Sequence, residues 1–381
     1  MGRSASRFSL TSFGPWHLFL IVALLAAYGL LVVWSAVQTD PDYEFTRQLT
    51  GVLVGLVFML AISQFDFRRL TKLWGLWLGI SLLLILSPHF PGIGVTVNGA
   101  SSWIELFGYQ MQPSEFAKVT VVLFTASLVA HNAESMSSLK TYLKVLALLL
   151  LPFVAILTQP DIGTGMVYLV IAAAALIMGG ARSKHLLITL GAGVLLIGAA
   201  FAVDEFLKYE TANGYTEYVI IKSYQRARLA VFLNPDADLI GDGYNLEQAK
   251  IAIGSGGLFG KGLLNATQSA NGFLPEACTD FIFCVLCEEL GFFGAFLLIA
   301  LYIGLWVFCV NIARHSTSMF GLLLGMSIVG MWVFMVVENI GMTMGMLPVT
   351  GIPLPFVSYG SSFMLVNFVM IGIIASVWKF G

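Results

Sequence analysis

A chain of 381 residues that is 58% hydrophobic and only 10% charged is not a soluble globular protein, because about a quarter of a typical soluble domain is charged. The formal net charge of −2 carries no information about partners, and no nucleic acid is expected. Apolar runs close to the roughly 20 residues of a spanning helix recur along the whole length. The chain therefore reads as an all-α polytopic membrane protein, a single integral membrane domain over residues 1–381.

The first run, Trp16 to Val37, is too long for a signal-peptide core and lacks a small-residue cleavage pattern, so it reads as a retained first helix. Candidate spans follow at about 16–37, 48–63, 72–88, 114–131, 142–158, 161–179, 185–203, 280–311, 318–345 and 359–379, about ten helices in all. The short loops on one side carry Arg3, Arg7, Arg68, Arg69, Lys72, Lys140, Lys144, Arg182, Lys184, Arg314 and Lys379, and those on the other carry only Arg47. By the positive-inside rule both termini are cytoplasmic.

Three outward segments stand out. Residues 89–113 are rich in Gly and Pro and contain Trp103, while residues 204–279 form one large extracellular loop between helices 7 and 8. Residues 346–358, MLPVTGIPLPFVS, hold three prolines and almost no polar atoms. Such a loop is poorly suited to water and is expected to fold back over the end of the bundle. Within the large loop, Tyr215 to Leu233 mixes Lys222, Arg226 and Arg228 with apolar residues. It reads either as a helix lying at the interface, basic side toward lipid phosphates, or as one packed on its own domain. The pairs Gly51 with Gly55, Gly321 with Gly325 and Gly341 with Gly345 read as close helix contacts.

Residues 254–262, GSGGLFGKG, invite a nucleotide-binding reading that the spacing rejects. Ser255 stands where a P-loop needs its first glycine, Gly262 where it needs Ser or Thr, and Phe259 where a G-x-G-x-x-G needs its last glycine. No nucleotide is expected, and the segment reads as a flexible, tightly turned backbone. Cys284 and Cys287 form a C-x-x-C inside an apolar run and read as packing residues. The five histidines lack ligand spacing, so a histidine-based metal site is not expected.

Ionisable residues in or beside apolar runs are more telling, because each costs free energy unless it serves something. Asp280 sits where the large loop meets the eighth span. Glu115 and Lys118, three apart at the start of the fourth, can pair on one helix face. Arg47 opens the second span, and Asp161 opens the sixth, where it also suits a helix N-cap. Glu288 and Glu289 lie in the eighth span and Glu338 in the ninth, the last read as a packing or interhelical hydrogen-bonding group. Arg47, Glu115, Lys118, Asp161 and Asp280 all fall at the outer ends of their helices. Such a set suits a site with cations for an anionic group and a carboxylate for proton transfer.

The wording PSEFAK at 113–118, QPDIGTG at 159–165, GYNLEQAKIAIGSGGLFGKGLL at 243–264, FLPEACTDFIF at 273–283, EELG at 288–291 and LPVTGIPLPFVSYGSS at 347–362 resembles the SEDS family (shape, elongation, division and sporulation) across nearly the whole chain. In detail it looks more like the elongation members, RodA, than the division members, FtsW. The resemblance implies a multi-pass protein of the bacterial cytoplasmic membrane that acts as a peptidoglycan glycosyltransferase. Its substrate would be lipid II at the outer membrane face, for cell elongation and shape. It implies Asp280 as the catalytic general base on the acceptor 4-hydroxyl, Glu115 and Lys118 as a supporting pair, and Trp103 as the loop tryptophan. Arg47, Lys118 or a divalent cation (Mg or Mn) would offset pyrophosphate charge, and Asp161 would line the same site. A class B penicillin-binding protein, a transpeptidase, is the implied partner. Cys278, where the family has a basic or polar residue, and Ser361, in place of a glycine, depart from the pattern. The competing reading is a lipid II flippase or transporter without covalent chemistry, which the helix count and the intramembrane charges also suit. A scaffold that only positions an enzyme leaves the charges unexplained.

Overall fold

The computed structural model describes residues 15–381 apart from 39, 41, 91, 98–99, 107–108, 160, 211–215, 220, 222 and 235–240. Arg3, Arg7 and Lys222 of the charge patterns above lie outside the described residues. The helices run α1 Pro15–Ala36, α2 Phe45–Ser63, α3 Trp74–Leu86, α4 Pro113–Asn132, α5 Leu139–Ile156, α6 Ile162–Met178 and α7 Ser183–Leu207. After the large loop, which holds α8 Ser223–Leu233, α9 Asp242–Ser255 and α10 Thr267–Ala270, come α11 Ile282–His315, α12 Met319–Thr343 and α13 Ser361–Phe380.

Each expected span corresponds to one helix, and eight of these helices are long and apolar enough to cross a membrane. The third and sixth are shorter, at Trp74–His89 and Ile162–Met178. Several boundaries shift by a few residues, and two of the shifts bear on the site. The seventh helix continues to Leu207, so the large loop starts beyond Asp204, and the eighth span starts at Ile282, leaving Asp280 in the turn before it. The chain is also not purely helical. Residues 94–111 form an antiparallel sheet, β1 Gly94–Val97, β2 Ala100–Leu106 and β3 Tyr109–Met111, and a two-stranded ribbon pairs Tyr209–Glu210 with Thr216–Glu217.

α4, α12 and α13 are largely buried and form the centre of the bundle. Trp332 of α12 donates through Nε1 to Asn367 Oδ1 of α13 at 2.7 Å. α2 packs against α13 through Gly51 and Gly55, where an added Cβ would stand 2.7 Å from the Ser361 Cα and 2.5 Å from the Phe368 ring. α7 behaves in the opposite way. Asp204 is its only buried residue among those described, and Leu195 and Leu196 are 75% and 71% exposed. A helix so apolar with so little packing needs an apolar solvent, which the bilayer supplies.

The glycine-rich segment 254–262 is docked, not loose, which corrects the flexible reading. α11 is interrupted at Gly291, whose φ of 65° and ψ of −162° are non-helical. The main-chain groups freed there would be costly inside a membrane. Lys261 N and Gly262 N donate to the carbonyls of Glu288 and Glu289, while Phe292 N and Phe293 N donate to those of Gly257 and Leu258. The glycines permit the approach, since a Cβ on Gly260 would stand 2.1 Å from the Glu289 carbonyl oxygen. Lys261 Nζ completes the seam with a 2.5 Å ion pair to buried Glu288.

The Pro-rich loop folds back as expected, with Ile352, Leu354, Phe356, Val357 and Ser358 buried. Buried Gln48 of α2 fixes its far end, donating to the Ser358 carbonyl at 3.2 Å and accepting from Gly360 N at 2.9 Å.

Candidate active site

The turn 273–281 carries Asp280, and two other parts of the chain, α12 and the end of the Pro-rich loop, hold its backbone. Asn339 Nδ2 of α12 donates to the Asp280 carbonyl at 2.8 Å and also to the Ile352 carbonyl at 2.8 Å. Ser358 Oγ donates to the Thr279 carbonyl at 2.7 Å, and Tyr359 N donates to that of Cys278 at 2.9 Å. Within the turn, Phe281 N reaches the Glu276 carbonyl at 3.1 Å, with Glu276 in a left-handed conformation (φ 54°). Tyr43 Oη and Thr279 Oγ1 both donate to Glu276 Oε2, at 2.8 and 2.9 Å. These bonds pin the α1–α2 connection to the turn.

The Asp280 side chain is half-buried and faces Gly351, where an added Cβ would stand 3.0 Å from Oδ2. Burial raises its carboxyl from the ordinary 3.8 to about 7, with Glu276 adding to the rise, Arg228 opposing it and Asp161 adding a little more. A carboxyl poised near neutrality can both take and release a proton, which is what a general base needs. Burial pushes the neighbouring Cys278 thiol up to about 12, so this sulfur is not a thiolate nucleophile at neutral pH.

Gly351 has a φ of +76°, and a side chain there would meet the Asp280 carboxylate. Gly351→Ala is therefore expected to lower activity at least 10-fold, by displacing the carboxylate. An initial-rate assay on folded, membrane-inserted protein checks this.

Glu115 and Lys118 form a buried ion pair of 2.6 Å in the first turns of α4, and Lys118 Nζ also lies 5.5 Å from the Phe363 ring centroid. Asp161 caps α6, accepting from Thr164 N at 2.9 Å through Oδ1, and accepts from Gln112 Nε2 at 3.1 Å through Oδ2. It therefore joins α6 to the start of α4 while its charge reaches Asp280. Gly163, in the next turn, lies against the loop, since a Cβ there would meet the Thr350 carbonyl at 3.2 Å.

Two expected members stand further out. Arg47 is exposed and lies 3.5 Å from Glu44. Trp103 is half-buried in β2 opposite Val95. The structure gives neither a described contact with Asp280. In exchange it brings in Arg228, whose Nη1 donates to the Thr350 carbonyl at 3.4 Å and whose charge reaches Asp280. Arg226 turns on buried Asp204 at 3.0 Å. The two arginines of α8 thus face protein, which overturns the reading of a basic face aimed at lipid phosphates. Sequence reasoning named Arg228 only as part of that interfacial pattern, and it missed Asn339 and Thr350 entirely.

Among the described residues no three His, Cys, Asp or Glu converge in a way that could hold a metal ion. A bound divalent cation would find no protein cage among the described residues. A cavity of about 270 Å³ beside Ser35, Gln38, Ser269 and Glu289 does not include Asp280.

The fold and site define a polytopic helical membrane protein with a near-neutral carboxylate fixed at one end of its bundle, suited to proton abstraction beside the membrane surface. Residues 15–380 match the family of cell cycle proteins that groups FtsW, RodA and SpoVE, and the chain belongs to this family. It is 36% identical to the peptidoglycan glycosyltransferase MrdB of Escherichia coli over 95% of this chain and 92% of that one. To the peptidoglycan glycosyltransferase RodA of Treponema pallidum it is 32% identical, over 94% and 96%. A chain from a solved peptidoglycan synthase complex superposes with a TM-score of 0.78 at 28% identity, covering 96% of this chain and 97% of that one. The rod shape determining protein RodA of Thermus thermophilus gives 0.67 at 27% identity, covering 96% of each.

Proposed function

We propose that this protein is a peptidoglycan glycosyltransferase that polymerises lipid II at the outer face of the bacterial cytoplasmic membrane. The observation that carries the reading is Asp280, a fixed carboxylate of near-neutral proton affinity just before α11. Asp280 takes the proton from the 4-hydroxyl of the acceptor sugar as that oxygen bonds to C1 of the donor sugar. The bond from C1 to the pyrophosphate oxygen breaks, undecaprenyl pyrophosphate leaves with the electron pair, and the linkage is inverted. Arg228 is the cation whose charge reaches Asp280, so it is better placed than Lys118, which is committed to Glu115, to meet the developing pyrophosphate charge. Asp161 with Gln112 holds the start of α4 against α6, and Glu115 pairs with Lys118 within the first turns of α4. Trp103 and Arg47 would contact the outer parts of the lipid-linked sugar.

In this reading ten helices cross the membrane, both termini are cytoplasmic, and the loop between α7 and α11 is external. The elongation role rests on the wording shared with RodA; relatives named for RodA and for FtsW match at similar identity. A class B penicillin-binding protein would crosslink the strands, in keeping with the synthase complex that this chain resembles.

Purified protein in detergent, given lipid II with and without a transpeptidase partner, is expected to make glycan strands resolvable by gel electrophoresis. Vesicles in which the protein moves lipid II across the bilayer but makes no polymer would overturn the reading in favour of a flippase.

A further inference from the structure

Glu338 lies in α12, one residue before the asparagine that holds the Asp280 backbone. It is 3% exposed, forms no ion pair among the described residues, and accepts a hydrogen bond from Thr350 Oγ1, while its Oε2 has no hydrogen-bond partner there. A carboxyl so placed is costly, and a merely structural hydrogen bond to a threonine could be made by a neutral side chain. Three consecutive loop residues explain its position. Thr350 donates to Glu338, Gly351 lies against the Asp280 carboxylate, and Ile352 accepts from Asn339. Glu338 is also within electrostatic reach of both Asp280 and Arg228. Both carboxyls border the same two loop residues, Glu338 through Thr350 and Asp280 through Gly351, and the charge of Arg228 bears on each.

Resting on the reading of Asp280 as the base, we propose that Glu338 is a second carboxyl of the active site, a positioning residue that shares one proton with Asp280 across the Thr350–Gly351 bridge. Like charges that act on one another do not both ionise readily, so the pair loses its protons in two separated steps. In the singly protonated pair the proton is divided between the two acids, and only the fraction with it on Glu338 leaves Asp280 free to accept another. Thr350 Oγ1 fixes one Glu338 oxygen, and the other is left to carry the shared proton. Other charges bear on Asp280 from neighbouring elements: Glu276 from its own turn, Asp161 from α6 and Arg228 from α8. Around α12, Lys250 of α9 lies against Gly345, and Glu115 of α4 is committed to Lys118. On α11, Glu288 is paired with Lys261 and Glu289 is bonded to Ser35.

The test is the pH–rate profile of lipid II polymerisation for wild type and Glu338→Gln, which keeps an oxygen for Thr350 but removes the acid. The acidic limb is expected to move to lower pH by roughly half a unit to one unit, with the plateau rate within about threefold of wild type. A limb that stays in place, or a plateau lost with no shift, overturns the proposal and leaves Glu338 a structural group. A second readout needs no turnover. In an infrared titration of Asp280→Asn, the remaining carboxyl is expected to ionise at lower pH than in wild type, because the coupling is reciprocal; an unchanged titration overturns the sharing. Polymerisation by Asp280→Asn at the wild-type rate would instead sink the assignment of the base, an outcome separate from either of these.

Discussion

Asp280→Asn is expected to lower the rate of glycan-strand synthesis by about 10²- to 10⁴-fold while leaving the protein folded and inserted, the range that a positioned general base supplies. The substitution keeps shape and one oxygen but cannot take a proton. Its backbone bonds to Asn339 and its contact with Gly351 do not depend on the charge. The wild-type rate should rise with pH through about 7, since the ionised form is the active one and burial lifts this carboxyl to that value. Stability should move the other way. A carboxyl that binds its proton more tightly when folded favours the fold below its unfolded value, near 3.8, and loses that contribution as pH rises through about 7. Removing the charge therefore stabilises the protein above neutrality, by at most about 4 kcal/mol for a shift of this size and less for a half-exposed group. Asp280→Asn should melt higher than wild type at pH 8 and equally at pH 4. A variant that is inactive and also less stable at pH 8 would mean that Asp280 holds the fold together instead of serving the chemistry.

The helices were legible because membrane spans are written as uninterrupted apolar runs, a pattern that does not depend on tertiary partners. The fold-back of residues 346–358 was legible for a related reason, since three prolines and few polar atoms leave little for water to solvate. The sheet at 94–111 was missed although its signal was present. Val95 and Val97 lead to Asn98-Gly99, a hairpin dipeptide, and Val97 pairs with Ala100 across it. The Gly- and Pro-rich composition of 89–113 masks that alternation. Residue-level assignments failed where a partner comes from far along the chain. That Asn339 would hold Asp280, or that Glu338 would face Thr350, is a property of how α12 and its following loop pack, and no local spacing encodes it. The glycine strap failed for the opposite reason. Its glycines suit loose turns and close approaches equally, and only the break at Gly291 decides between them.

Lys118→Met is expected to cost about 3–5 kcal/mol of stability, because it leaves Glu115 charged and buried without its cation. The pair is 2.6 Å long with side chains 3% and 8% exposed, and the second Glu115 oxygen has no hydrogen-bond partner among the described residues. The N-terminus of α4 softens the penalty, since Glu115 lies in the helix's first turn, but that contribution is typically under 1 kcal/mol. Glu115→Gln/Lys118→Met removes both charges and should recover most of the loss, as neutral replacements of buried pairs often do. Apparent melting temperatures in detergent, compared across the two single variants and the double, measure the coupling. A double variant no more stable than Lys118→Met would show that the lysine contributes packing over Phe363 and not charge. The consequence for activity follows from what the same turn carries. Gln112 donates to Asp161 and the Ser114 carbonyl accepts from Tyr168 at 2.9 Å, so a frayed α4 start would release α6, and with it a carboxylate whose charge reaches Asp280. The double variant should therefore regain activity in step with stability if the pair is structural, and remain slow although stable if Lys118 meets the substrate's pyrophosphate.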